Sequence, residues 1–489
     1  MKIWINKMEV EDLDEEYSKA VVFNMLDKKE NLSTNFEDIW RRFNEESIDT
    51  IYEDLLVIAT AVFAVDRKVP REKILGMNAE QYTEQYTYND NWTRNFEISI
   101  PVVELEKWNA SKNKLQEFLD FLTGDEWRID FRCTNSRYRS GKFSTKKYKN
   151  SNQMVNNKDF DCVSLFSGGL DSFCGALSLL EKNKKVFFVT CMEHKLLKRR
   201  VNQIYEYVDR GYPRLNKEIY VFSARPKRPE NVPFEFLNKF SEDTSRSRSF
   251  MFMAVAIAVA SIIKPKEGVY IPENGFIGIN LPLTKSRLGS CSTRTTHVWA
   301  LKKLNELLIL LNIDIPVTNF YKYSTKGEIV KEFKDNNVFR QCVELTLSCS
   351  HPTHGKGATT PINCGYCYPC MIRRASLHKM GFDNTKYMEE YDSSFKLSTT
   401  MINKYGNPYS GRAKDLVALL ESLHNYETNT DKDYYKKKLI KMGNLTLEEI
   451  KEFDRVCQTS LEELKEMILD ISEQNDPKLA EYIGIKKYV

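Results

Sequence analysis

No apolar run in this 489-residue sequence is long enough to cross a bilayer. The longest, Phe250 to Ile263, falls short of the roughly 20 residues a spanning helix needs and is predicted to be a buried helix. Charge of one sign is also missing: 72 Lys plus Arg face 68 Asp plus Glu, a formal +4. That bias is too small to imply nucleic acid as a partner by itself. The start, Met1–Lys2–Ile3–Trp4, has no signal-peptide pattern, so the expected compartment is the cytoplasm, without a membrane. A Walker A loop is absent as well. Gly141–Lys142 and Gly355–Lys356 both lack the upstream Gly and the following Ser or Thr, which argues against P-loop kinase and motor readings. There is no internal repeat. Eleven cysteines without a secretion signal suggest a reducing compartment, where a cysteine cluster binds metal rather than forming disulfides.

The chain is organised around Ser167–Gly168–Gly169–Leu170–Asp171–Ser172. Val163 to Phe166 before it is strand-like, and Phe173, Ala176, Leu177 and Leu180 after it recur at helical spacing. A strand–loop–helix turn of this composition suits phosphate. The glycines let the backbone approach an anion, the amides at the helix start point towards it, and Ser167 and Ser172 add hydroxyls. Asp171 would repel a bare phosphate, so it is expected to hold Mg²⁺ that sits on the phosphates. The plainer alternative is a Gly–Gly turn with a capped helix.

Residues 1–155 carry no catalytic motif and are predicted to form an α+β unit with its own core. Asp54–Val65 and Leu115–Leu122 have helical faces, tryptophans concentrate here (Trp40, Trp92, Trp108, Trp127), and Phe96–Val103 reads as an edge strand because of Pro101. Ser140–Lys158 reads as a polar linker. Residues 156–395 alternate strand candidates (Val163–Phe166, Val186–Thr190, Ile219–Phe222, Val269–Ile271) with helices, which predicts a parallel sheet with helices on both faces. Ligand then sits at the strands' carboxyl ends. Thr190–Lys195, Arg246–Arg248, Glu273–Gly275 and Thr293–His297 are polar stretches at such ends. Residues 396–489 are predicted to be a helical appendage, with capping boxes at Thr446/Glu449 and Ser460/Glu463.

Cys349, Cys364, Cys367 and Cys370, spaced C-x14-C-x2-C-x2-C, supply four thiolates for a tetrahedral structural zinc. An iron–sulfur cluster is the alternative, and His351 and His354 are spare ligands.

The S-G-G-x-D-S hexapeptide resembles the signature of PP-loop ATP pyrophosphatases. With the cysteine cluster, Ser348–Cys349 then Cys364–Gly365–Tyr366–Cys367–Tyr368–Pro369–Cys370 and Arg373, it resembles the QueC family of 7-cyano-7-deazaguanine synthases. Arg248–Ser249–Phe250–Met251–Phe252 is similar to that family's R-N-x-x-F stretch, and Lys326 to its lysine before the last core helix. The resemblance covers about 160 to 380. It implies a Rossmann-like (HUP) fold with a zinc-binding insertion. The added ends look more like the QueC-like proteins of anti-phage operons, such as QatC of the Qat system and the component of type IV CBASS. The resemblance further implies ATP-dependent adenylation of a carboxylate, 7-carboxy-7-deazaguanine, with pyrophosphate released. The acyl group then passes to an amine, the N-terminus of a partner protein. Asp171, Ser167, Gly168, Gly169, Leu170 and Ser172 would serve ATP, with Arg248, Lys326 and Arg294 neutralising charge. Alternatives are nitrile synthesis with ammonia, an ATP-binding scaffold without catalysis, and a zinc-ribbon nucleic-acid binder, for which the basic and aromatic surface is thin.

Overall fold

A computed structural model of the chain describes residues 1–8, 11–25, 29–70, 93–139, 154–191, 195–233, 240–242, 245–282, 294–350, 361–387, 396–398, 414–474 and 476–483. The first unit contains β1 (Lys2–Asn6), β2 (Val21–Asn24), β3 (Leu32–Thr34), α1 (Thr50–Lys68), β4 (Asn95–Val102), α2 (Leu105–Thr123) and β5 (Glu126–Cys133). Its four-stranded sheet has the order β2-β1-β4-β5, and every pairing is parallel. The unit is therefore parallel α/β rather than α+β, with α2 as the crossover from β4 to β5. The edge-strand expectation also changes, because β4 lies between β1 and β5. Pro101 is tolerated there because the pairing with β1 stops at Trp4–Ser99, leaving only β5 to bond the end of the strand.

The second unit follows as β6 (Cys162–Leu165), α3 (Leu170–Glu181), β7 (Val186–Cys191), α4 (Lys195–Gly211), β8 (Lys217–Phe222), β9 (Ala224–Pro226), α5 (Arg248–Ile263), β10 (Val269–Tyr270), α6 (Gly275–Ile279), α7 (Val298–Leu310), β11 (Val317–Thr318) and α8 (Lys326–Glu332). Its five-stranded parallel sheet runs β11-β10-β6-β7-β8. Counted within the sheet, that order is 3-2-1-4-5, that of a doubly wound fold. Strand residues point alternately to opposite faces. Cys162, Val186 and Phe188 pack with Leu177 of α3 and Ile204 of α4, whereas Val163, Phe187 and Val189 pack with Ala256 of α5 and Leu304 of α7. The helices change face between β6 and β10, and the chain leaves those two strands in opposite directions.

Among the described residues the first unit has only a small cluster of its own, Trp4, Tyr17, Ala20 and Val22, and its main core is shared. Ile3, Leu56, Ile98 and Leu119 of the first unit share one continuous core with Val163, Phe187 and Leu304 of the second. Helix α5 explains this. It is apolar on all sides, as a helix buried all round must be, and it packs against α1 as well as β6, β7 and β10. Strand β3 also pairs antiparallel with β9. Among the described residues, no helix is long and apolar enough to cross a membrane.

Helices α9 (Tyr368–Lys379), α10 (Lys414–Thr428) and α11 (Leu447–Gln474) share a further core with Phe276 and Ile279 of α6. The Thr446/Glu449 capping box is present and opens α11. Ser460 is not a helix start, since it is buried within α11. The linker expected at Ser140–Lys158 falls largely outside the described residues.

The Arg246–Ser247 turn that leads into α5 is buried, so its donors need an acceptor, and Asp66 of α1 supplies it. Its Oδ2 accepts from Arg246 N (2.7 Å), Ser247 N (2.8 Å) and Ser247 Oγ (2.8 Å). Arg94 bridges Asp66 to Asp125, donating from Nη2 at 2.6 Å and from Nε at 3.1 Å to Asp125. Asp66→Ala removes one partner of a buried charge network, so urea unfolding should show a loss of about 3–5 kcal/mol. A loss below about 1 kcal/mol, the scale of a surface pair, would show that this network does not hold the two sheets together.

Candidate active site and metal centre

The loop after β6 is folded by its own hydroxyls. Ser172 Oγ accepts from Ser167 N at 3.2 Å, donates to Gly169 O at 3.0 Å and lies 3.0 Å from Ser167 Oγ. Ser167 Oγ accepts from Gly169 N at 3.3 Å, and Ser348 Oγ from Leu170 N at 3.2 Å. These are long, neutral contacts on amides at the positive end of α3, and an anion would replace them with stronger charge-assisted ones. Gly168 has φ +79°, and a Cβ there would stand 2.6 Å from Val201 Cγ2 on α4. Both the left-handed backbone and the close approach require glycine at this position.

Asp171, in the first turn of α3, is bound from two other strand ends. Lys326 Nζ lies 2.9 Å from Oδ1, and Asn274 Nδ2 donates to Oδ2 at 2.8 Å. Lys326 and Asn274 are both buried. Asn274 follows β10 and uses its other end to cap α6, accepting from Ile277 N at 3.1 Å. Lys326 opens α8, which follows β11 and is capped by Thr325 in a capping box with Glu328. Thr325 Oγ1 in turn donates to Glu463 of α11 at 2.7 Å, so the C-terminal helix braces the lysine's helix. Glu273, beside Asn274, accepts from Thr296 Oγ1, and its carboxyl is pushed up to about 7, chiefly by burial and further by Asp171.

The loop is also tied to the cysteines. Leu347 N donates to Gly168 O at 2.9 Å, and the cluster begins two residues later. The sulfurs of Cys349, Cys364, Cys367 and Cys370 all lie within 4.8 Å of one another. Cys349–Cys367 is 3.8 Å and Cys364–Cys370 is 3.9 Å. A tetrahedron of sulfurs around zinc, with bonds of about 2.3 Å, has edges of about 3.8 Å, so this set fits the ion. Cys364 N donates to Cys349 Sγ at 3.4 Å and Cys367 N to Cys364 Sγ at 3.3 Å, the amide bonds that support thiolate. Hydrogen bonding from Cys349 also holds the Cys364 and Cys367 thiols below their ordinary value. The four cysteines could thus hold a metal such as zinc. Arg373, three residues on, is wholly buried. It donates to Val343 O at 2.7 Å and to Thr385 Oγ1 at 2.9 Å, so it clamps α9 to the segments before and after it.

Ser167–Ser172 and Lys326 therefore meet in one place. Arg294 does not join them: it donates to Phe121 O at 2.6 Å and stacks on the Phe121 ring, at the carbonyl end of α2. A cation at a helix C-terminus is a sufficient reason for that position. Arg248 lies over Phe252 of its own helix, and the N-terminus of α5 beside it is filled by Asp66. His297 caps α7 through Nδ1, which accepts from Trp299 N at 3.1 Å, and burial pushes it down to about 3. Met192–His194, Thr293, His351 and His354 lie outside the described residues. Asn274 was visible in the sequence only as part of a polar stretch, its signal being a capping residue directly after a strand. Ser348 carried none beyond its place before Cys349.

No protein-family model matches this sequence, and no curated protein matches it. The chemistry of the site has to be read from its own residues.

Metal analysis of the purified chain should find about one zinc per chain, and Cys367→Ser should lower both metal content and solubility, because lost metal is lost folding free energy. A brown protein absorbing in the visible range would assign the cluster to iron–sulfur instead. If the loop holds a phosphate-bearing ligand such as ATP, Gly168→Ala should weaken its binding at least tenfold by equilibrium dialysis, about 1.4 kcal/mol or more, since it strains the backbone and strikes Val201. Unchanged affinity for ATP would show that the loop does not hold its phosphates.

Proposed function

We propose that this chain is a QueC-like PP-loop ligase with a Rossmann-like ATP-binding unit, forming AMP and pyrophosphate. The observation that carries the reading is the meeting of Ser167–Ser172, Asn274 and Lys326 at the carboxyl ends of β6, β10 and β11. In a sheet of this strand order, ligands bind at that crossover. ATP lies with its terminal phosphates on the amides of Ser167–Ser172. Both oxygens of Asp171 are committed to Lys326 and Asn274, which makes it a poor sole anchor for a six-coordinate ion. We therefore place Mg²⁺ on the ATP phosphates, as part of the substrate, rather than on Asp171. Lys326, held by Asp171, supplies positive charge towards the phosphates.

A carboxylate oxygen, from 7-carboxy-7-deazaguanine, attacks the α-phosphorus, and pyrophosphate leaves. An amine then attacks the acyl carbon, and AMP departs. The protein's part is positioning and charge stabilisation. The acceptor we favour is the N-terminus of a protein partner in anti-phage defence, because an α-amine with pKa near 7.7–8.0 is more often neutral than a lysine. Zinc on the four cysteines would stiffen the segment that docks on Gly168 through Leu347.

Asp171→Ala and Lys326→Met should each lower AMP formation by at least about a hundredfold, as expected for loss of a preorganised charge, with the thermal unfolding midpoint used to check folding. Arg294→Ala should affect stability more than turnover. Production of ADP instead of AMP, or full AMP release by Asp171→Ala, would overturn the proposal. Efficient conversion of the acid to a nitrile with ammonia, leaving proteins unmodified, would assign the small-molecule reaction instead.

A further inference from the structure

We propose that Glu273 is the general base of the acceptor step, taking the proton that the attacking amine must lose. The inference rests on the acyl-adenylate reading of the site. Glu273 stands at the carboxyl end of β10, next in the chain to the residue that holds Asp171. Its backbone is pinned on both sides by Asn319, which accepts from Glu273 N at 3.2 Å and donates to Glu273 O at 2.8 Å. One carboxylate oxygen is oriented by the buried Thr296 hydroxyl, and the other has no hydrogen-bond donor among the described residues. The side chain is partly exposed, unlike Asn274 beside it. A carboxylate anchored at its backbone and at one oxygen, and close enough to Asp171 and Lys326 to feel both charges, is placed to act on a group bound at the crossover of the sheet.

The charged groups that act on it are Asp171 from α3 and Lys326 from α8. Burial and Asp171 raise its affinity for a proton, and Lys326 opposes them. A base is most effective when its pKa lies near the working pH, and Glu273, at about 7, is far better matched than an ordinary carboxylate. The step balances without another reagent. The amine lone pair forms the C–N bond, the acyl C–O bond breaks with its electrons passing to AMP, and the N–H proton moves to Glu273. Asp171 is the poorer candidate, because one oxygen is ion-paired with Lys326 and the other accepts from Asn274. The raised pKa also sets a sign for stability: the protonated form is favoured by folding, so this contribution is full below the unfolded value of 4.5 and is lost as pH rises through about 7.

Glu273→Gln keeps an oxygen for Thr296 but cannot take a proton. The full-length metal-loaded protein is assayed with 7-carboxy-7-deazaguanine for exchange of labelled pyrophosphate into ATP, and for capture of the acyl group by glycinamide or by hydroxylamine. Glu273→Gln should lower amide formation with glycinamide by about a hundredfold. Its exchange and hydroxamate formation should fall far less, because hydroxylamine needs little help from a base. After correction for the neutral fraction of glycinamide, whose α-amine has a pKa of about 8, transfer by the unaltered protein should still fall as pH drops below about 7, and Glu273→Gln should lack that additional limb. Glu273→Asp should recover part of both. Equal loss of exchange, hydroxamate and amide would make Glu273 a structural residue, and unchanged amide formation would also overturn the proposal. Exchange and hydroxamate formation in the unaltered protein uphold the adenylation reading even where the base assignment fails. Their absence would overturn both.

Discussion

Helix α5 cannot face water on any side, and that constraint holds the molecule together. Its residues from Phe250 to Ala260 are almost all buried, so both flanking layers must be apolar towards it. The second sheet supplies one layer and α1 the other. The turn that leads into α5, Arg246–Ser247, is buried as well, and the carboxylate of Asp66 accepts from both of its amides. Arg94 then has to balance Asp66 and Asp125. The first unit is thus joined to the second by an apolar helix and by the charge network at that helix's end.

The candidate site follows the same rule of compensated burial. Asp171 is nearly buried, and its charge is tolerable because Lys326 and Asn274 meet it from two other strand ends. Lys326 in turn has its helix capped by Thr325, which bonds to Glu463 of α11. The C-terminal helix is therefore part of the support of the site rather than a remote appendage. On the opposite side, Leu347 and Ser348 bond to the phosphate-type loop immediately before the first cysteine. Loss of the cysteine geometry would loosen that docking, so a metal held by the four cysteines could stiffen the loop without touching it.

Several residues that looked functional have structural partners. Arg294 closes α2, Asp66 occupies the α5 terminus beside Arg248, and Arg373 clamps α9. Arg294 and Asp66 are a cation and an anion near a helix end, and such groups are stabilising in any fold. Their local sequence is the same whether the neighbour is a phosphate or a carbonyl.

The sequence by itself determined what is local. Strand β6, the left-handed Gly168, helix α3, the buried α5, the capping box of α11 and the close spacing of Cys364, Cys367 and Cys370 depend on neighbours a few residues apart. Periodicity, glycine and capping chemistry report them directly. The pairing of Asp171 with Asn274 and Lys326, Glu463 beneath Thr325, the parallel first sheet and its shared core were decided by tertiary structure alone. These contacts join residues from 18 positions apart in the first sheet to more than a hundred apart at Asp171 and Thr325, brought together by strand order. No local preference encodes strand order, because it is set by which apolar faces can be buried together.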